Sequence, residues 1–172
     1  MDEVPIFLDV ASGIGQRMPT GTNKIYFCHF STIPLDHTVT YARLVSYLQP
    51  NKEKEHRVRV TIGGNSLDYL GLTATDTASL TTLGLLLNSA IYTLNSRFMT
   101  MDIKNYYYGT PMARYEYMHI PMDLIPDEVI KQYNLQKLSV NGWAYMEIFK
   151  GMPGIKQAGK LANERLKKHL GK

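Results

Sequence analysis

Phe98-Met99-Thr100-Met101-Asp102-Ile103-Lys104-Asn105-Tyr106-Tyr107-Tyr108 is the stretch whose reading decides the fold. An apolar, β-prone run ends in a lone aspartate, and an aromatic cluster follows. The pattern predicts a strand over 97–103 with Asp102 at its end. A carboxylate at a strand end can hold a catalytic metal ion, but a two-metal site needs more than one. Taken alone, Asp102 equally fits a residue that caps or pairs.

Before this stretch, Asp76 or Thr77 can cap a helix running to about Asn95, with Leu80, Leu83, Leu87, Ile91 and Leu94 on one side. Earlier still, Lys24–Phe30 alternates and reads as a strand, and Pro34–His37 reads as a turn. Val39–Leu48 looks extended, Pro50–Glu55 is a charged tip, and Arg57–Ile62 alternates strictly. The last three together predict a hairpin closed by Gly63-Gly64-Asn65.

After the stretch, Tyr115–Ile120 is extended and Pro126 opens a short helix over 127–133. Asn141-Gly142 signals a turn into a strand over 143–149. A last helix spans 156–170, with Ile155, Ala158, Ala162, Leu166 and Leu170 as its apolar stripe. Strands and helices mix without regular βαβ alternation, so the expected class is α+β, a mixed or antiparallel sheet packed with helices. Residues 1–20 read as an N-terminal loop or extension and 21–172 as the domain.

At 172 residues, 44% hydrophobic and 20% charged, the composition is globular. No apolar run is long enough to span a bilayer, and the N-terminus lacks a signal-peptide pattern. The single cysteine, Cys28, excludes an intrachain disulfide or a cysteine-rich metal site and fits a reducing, intracellular compartment. The net charge of +4 is uneven: residues 150–172 carry seven basic side chains against Glu164. That tail suits a polyanion such as nucleic acid, and equally a solvated helix face.

The five histidines show no zinc-ligand spacing, and Ser12 and Ser66 lack a nucleophile-elbow context. Gly63-Gly64-Asn65 and Gly151-Met152-Pro153-Gly154 match no phosphate-loop pattern and read as turns. Arg57 and Arg59 share one face of the hairpin below Lys52 and Lys54, an arrangement able to clamp phosphate or simply to meet water. Tyr106–Tyr108 can offer stacking surface or ordinary core.

In order, these pieces resemble the reverse transcriptase (RNA-directed DNA polymerase) of Ty1/copia-type LTR retrotransposons. Phe98–Tyr107 is similar to its palm motif, a hydrophobic strand followed by D-[VI]-K-x-A-[FY]. Tyr117-Met118-His119-Ile120-Pro121 resembles Y-M-x-x-P. Phe149–Ala158 resembles K-[AS]-[LI]-Y-G-L-K-Q-A, and Arg57–Thr61 resembles the fingers strand K-A-R-L-V. The resemblance covers roughly 20–170 and implies a partial right-hand fold, the fingers plus the first half of the palm.

It further implies that Asp102 and the Ile103 carbonyl hold metal, that Tyr107 is the gate under the incoming sugar, and that Arg59, helped by Lys52, meets the triphosphate. Gln157 would lie by the nascent base pair, with Lys156, Lys160 and Lys167 along the nucleic acid. The implied cofactor is Mg²⁺, two ions in an intact enzyme. The implied partners are a primer-template of RNA and DNA, dNTPs and the remainder of a Pol polyprotein, in a cytoplasmic virus-like particle and not in a membrane. Phosphoryl transfer needs such cations to neutralise developing charge.

Two departures matter. Pro153 stands where the family usually has Tyr, which can disturb the placement of Gln157. The family's second palm motif, [FY]-x-D-D, is absent, and no Asp-Asp pair occurs in the sequence. The expectation is a fragment or degenerate copy that is inactive alone. The alternative is a non-catalytic nucleic-acid- or protein-binding relic of the fold.

Overall fold

The structure, a computed structural model, describes residues 25–48, 50, 56–75, 77–103 and 106–171. The expected N-terminal extension, the hairpin tip with Lys52, and Asp76 lie outside the described residues.

Five strands form one mixed sheet in the order β1-β5-β4-β2-β3. They are β1 (Ile25–Cys28), β2 (Val39–Leu48), β3 (His56–Ile62), β4 (Pro111–Pro121) and β5 (Trp143–Lys150). β2 and β3 are antiparallel from Ala42↔Ile62 to Leu48↔His56, the hairpin that their alternation predicts. β4 pairs antiparallel with β5 and parallel with β2. The helices are α1 (Leu80–Tyr92), α2 (Asp127–Gln132), α3 (Leu135–Leu138) and α4 (Ala158–Leu170). The α+β class is therefore correct.

Alternation decides which side of the sheet is covered. Ile25 and Phe27, Met118 and Ile120, Met146 and Ile148, Val60 and Ile62 all point inward and are buried. Val129, Tyr133 and Leu135 of the α2–α3 region join the same core, as do Ile155 and Ala158 at the start of α4. Burying side chains of this size stabilises by roughly 1.5–3 kcal/mol each. Asn141 and Gly142 both have positive φ, 52° and 81°, as a tight turn into β5 requires.

The strand expected over 97–103 does not form: residues 96–103 are irregular and exposed. A strand exists only with a ladder partner, and this segment pairs with neither sheet edge, β1 or β3. The preceding helix is shorter than expected. Ser79, two residues after Thr77, caps it, its Oγ accepting the Thr82 N–H at 3.1 Å. The last helix starts at Ala158 rather than 156, with Gln157 at its N-cap.

Candidate nucleic-acid and nucleotide site

The Gly151–Gly154 loop between β5 and α4 is where distant segments meet. The Ile62 N–H at the end of β3 donates to the Pro153 carbonyl at 3.0 Å. Gly154, at φ +99°, lies so close that a Cβ would collide with the Ile62 carbonyl oxygen, and a Cβ on Gly64 would collide with the Gly154 carbonyl. The two glycine segments that read as separate turns are thus two halves of one contact, and glycine is required because backbone meets backbone.

On its other side the loop meets the aromatic turn. Gly151 N–H donates to the Thr110 carbonyl at 2.8 Å, and Thr110 N–H donates to the Tyr107 carbonyl at 3.0 Å. The Tyr107 ring lies next to Gly159 in the first turn of α4 and 5.5 Å from the Tyr106 ring. Arg165 Nη1 donates to the Gly109 carbonyl, tying the middle of α4 to the same turn. Between them a cleft of about 250 Å³ is lined by Ile103, Tyr106, Thr110, Arg165 and His169, among others. The end of the hairpin, the aromatic turn and the Gln157 helix therefore meet at this loop, but alternation along β3 puts the Arg59 side chain on the opposite face of the sheet, away from the cleft.

Tyr107 is 44% exposed. Gln157 is 4% exposed, and its Nε2 donates to Glu116 Oε1 at 3.0 Å, so its amide faces the interior rather than an open cleft. Its Oε1 is buried without a hydrogen-bond partner. Lys156 is engaged too: Nζ donates to the Leu67 carbonyl at 2.8 Å. Lys160 pairs loosely with Glu164 at 3.7 Å, and Lys167 is exposed on the last turn of α4. Arg59 is exposed on β3 opposite Val45. Nothing in the sequence singled out Glu116, because the apolar run Tyr115–Ile120 hides it. Its inward parity with Met118 was the available signal.

Asp102 stands in exposed, irregular chain next to Ile103, which reaches the cleft. Among the described residues no three His, Cys, Asp or Glu side chains gather as a metal-binding group. Asp102 and Ile103, the residues that the resemblance implies as metal ligands, therefore stand without such a group gathered beside them among the described residues.

The opposite face of the sheet carries a second polar network. Tyr117 Oη donates to Glu147 at 2.7 Å, and burial together with that carboxylate pushes the phenol well above its usual range. His37 holds the Asp36 carboxyl below the carboxylate range by a hydrogen bond at 3.0 Å, and Arg114 donates to the His37 ring at 3.3 Å.

Comparison with protein-family models, curated proteins and solved structures found no match for this chain.

Proposed function

We propose that this chain carries the fingers and first half of the palm of a reverse-transcriptase-like polymerase, and that by itself it binds a primer-template without extending it. The observation that carries the reading is the convergence at the Gly151–Gly154 loop of three segments far apart in sequence. They are the end of the Arg59 strand, the Tyr106–Thr110 turn that follows Asp102, and the Gln157 helix. A polymerase needs these to act on one substrate: cations for phosphates, an aromatic wall for the sugar, a polar helix start for the base pair.

The residues divide the work by chemistry. Lys160 and Lys167 on α4 supply charge for backbone phosphates. Tyr107 limits space beside the sugar, whereas Arg59, on the sheet face away from α4, does not reach the same nucleotide. Asp102 and the Ile103 carbonyl would supply part of the ligand set for Mg²⁺, which in an intact enzyme would offset charge developing on the phosphates. Gln157 reaches a base only after its amide leaves Glu116.

The test is paired. A labelled RNA–DNA primer-template is titrated with the chain, and Lys160→Glu/Lys167→Glu is compared with the native sequence. The reading expects salt-dependent binding that weakens several-fold in the double variant, and no template-dependent extension with Mg²⁺ and dNTPs. Native binding without salt dependence, or extension by residues 1–172, contradicts it.

A further inference from the structure

The outer sheet face, away from α4, carries an array of rings that the polymerase reading does not use. From β5 and β4, His119 lies 4.4 Å from Trp143 and 6.0 Å from Tyr145, centroid to centroid. Phe30, on the connection that crosses from β1 to β2, adds a fourth ring 5.1 Å from Tyr145. Phe30 is 51% exposed and Trp143 36%. Burial lowers the His119 pKa, so near pH 7 this ring is neutral and behaves as an aromatic.

This array continues into a basic edge. Tyr41 on β2 is in register with His119, and its hydroxyl donates to Asn65 at 3.0 Å, which fixes the ring. Beyond it on the same face stand Arg43 and Arg59, on paired strands and both exposed. Glu147, the acid on this face of β5, keeps its charge but is held by the Tyr117 hydroxyl on the β4–β5 pair, whereas Arg43 and Arg59 stand on the β2–β3 pair.

We infer that this ring array and its arginine edge form a binding surface for single-stranded nucleic acid, with bases stacked on Trp143, His119 and Phe30 and phosphates met by Arg43 and Arg59. Every base has a π-face, so aromatic platforms beside cations bind single strands with little sequence preference. The charge pattern selects this occupant over a second copy of the chain. Two like faces would bring their arginines together, whereas a polyanion meets both the rings and the guanidinium groups. The surface is distinct from α4, where the polymerase reading places the duplex.

Trp143 is the chain's single tryptophan, so its emission reports on this surface alone. Titration with a 12-nucleotide oligo(dT) or oligo(rU) is expected to quench that emission saturably. By anisotropy of a labelled oligonucleotide, Trp143→Ala should lose about tenfold in affinity, whereas Trp143→Phe, which keeps a ring, should retain most of it. Arg43→Ala should reduce the salt slope by about one. Trp143→Ala should leave hybrid binding through α4 unchanged, and Lys160→Glu/Lys167→Glu should leave oligo(dT) binding unchanged, so either reading can fail without the other. The inference is overturned if saturating oligonucleotide leaves Trp143 emission unaltered, or if duplex quenches it as well as single strand. A blue shift that tracks protein concentration alone, the mark of a second copy on this face, also overturns it. Should Trp143→Ala fail to fold, the emission titration of the native chain and the Arg43→Ala slope decide the matter.

Discussion

The β4–β5 ladder and residues 77–103 are both rich in apolar residues, yet one is the best-buried part of the molecule and the other the least. Met118, Ile120, Met146 and Ile148 are all 0% exposed. In α1 no residue is buried, with Leu80 85% and Ile91 76% exposed, and Met99 and Met101 beyond it are as open. The contrast separates what a segment can do alone from what it can do only with a partner. A helix satisfies its own backbone, so α1 closes its hydrogen bonds from the Ser79 cap without a partner strand, although at 13 residues with none buried it gains little from packing and is of marginal stability. A strand cannot, so 97–103 stays irregular despite its composition.

That contrast can be broken or sharpened by substitution, and the largest effect belongs to the ladder. Ile120→Ala should cost about 2–5 kcal/mol of unfolding free energy in urea, since it removes side-chain volume from a fully packed site. Gly154→Ala should cost on the order of 1–3 kcal/mol, because alanine is strained at φ +99° and its methyl meets the Ile62 carbonyl. Its effect should appear as loosening of the contact between β3 and the Gly151–Gly154 loop in hydrogen exchange, with the β4–β5 ladder retained.

Smaller effects follow on the open side. Ser79→Ala should destabilise α1 locally by about 0.5–2 kcal/mol, read as lost helical ellipticity with the global transition unchanged. Leu86→Ala should shift global stability by less than about 0.5 kcal/mol, in contrast to Ile120→Ala. A cooperative loss of several kcal/mol from Leu86→Ala would show that α1 belongs to the core after all.

The ladder's edge is also sensitive to pH. Burial, and then the charge of Glu147, push the Cys28 thiol up to about 11. The folded state therefore favours the protonated thiol more strongly than the unfolded state does. Its contribution to stability is complete below the ordinary thiol pKa of about 9 and is lost as pH rises from there towards 11. Thiol-reactive dye at pH 8 should label Cys28 slowly in the native chain and rapidly in urea. Equal rates would contradict this burial.

Much of the fold was legible because its signals are local. The alternation of Arg57–Ile62 and the Asn141-Gly142 turn set β3 and β5 almost to the residue. The strand expected over 97–103 failed because pairing is non-local, and no short window of sequence contains its partner. The glycine segments at 63–64 and 151–154 read as turns because their mutual contact spans some ninety residues. Gln157 was legible as the start of a helix. That its amide turns inward depends on Glu116, forty-one residues away. Asp102 keeps its place beside the aromatic turn but not on a strand.

Convergence of the aromatic turn and the Gln157 helix on one substrate is the central claim, and photocrosslinking tests it most directly. A primer-template carrying 5-bromouracil near the primer end is irradiated with the native chain, and the modified peptides are mapped. The account predicts crosslinks in 106–110 together with 157–168. Crosslinks confined to other surfaces, or none under conditions where the complex forms, would contradict it.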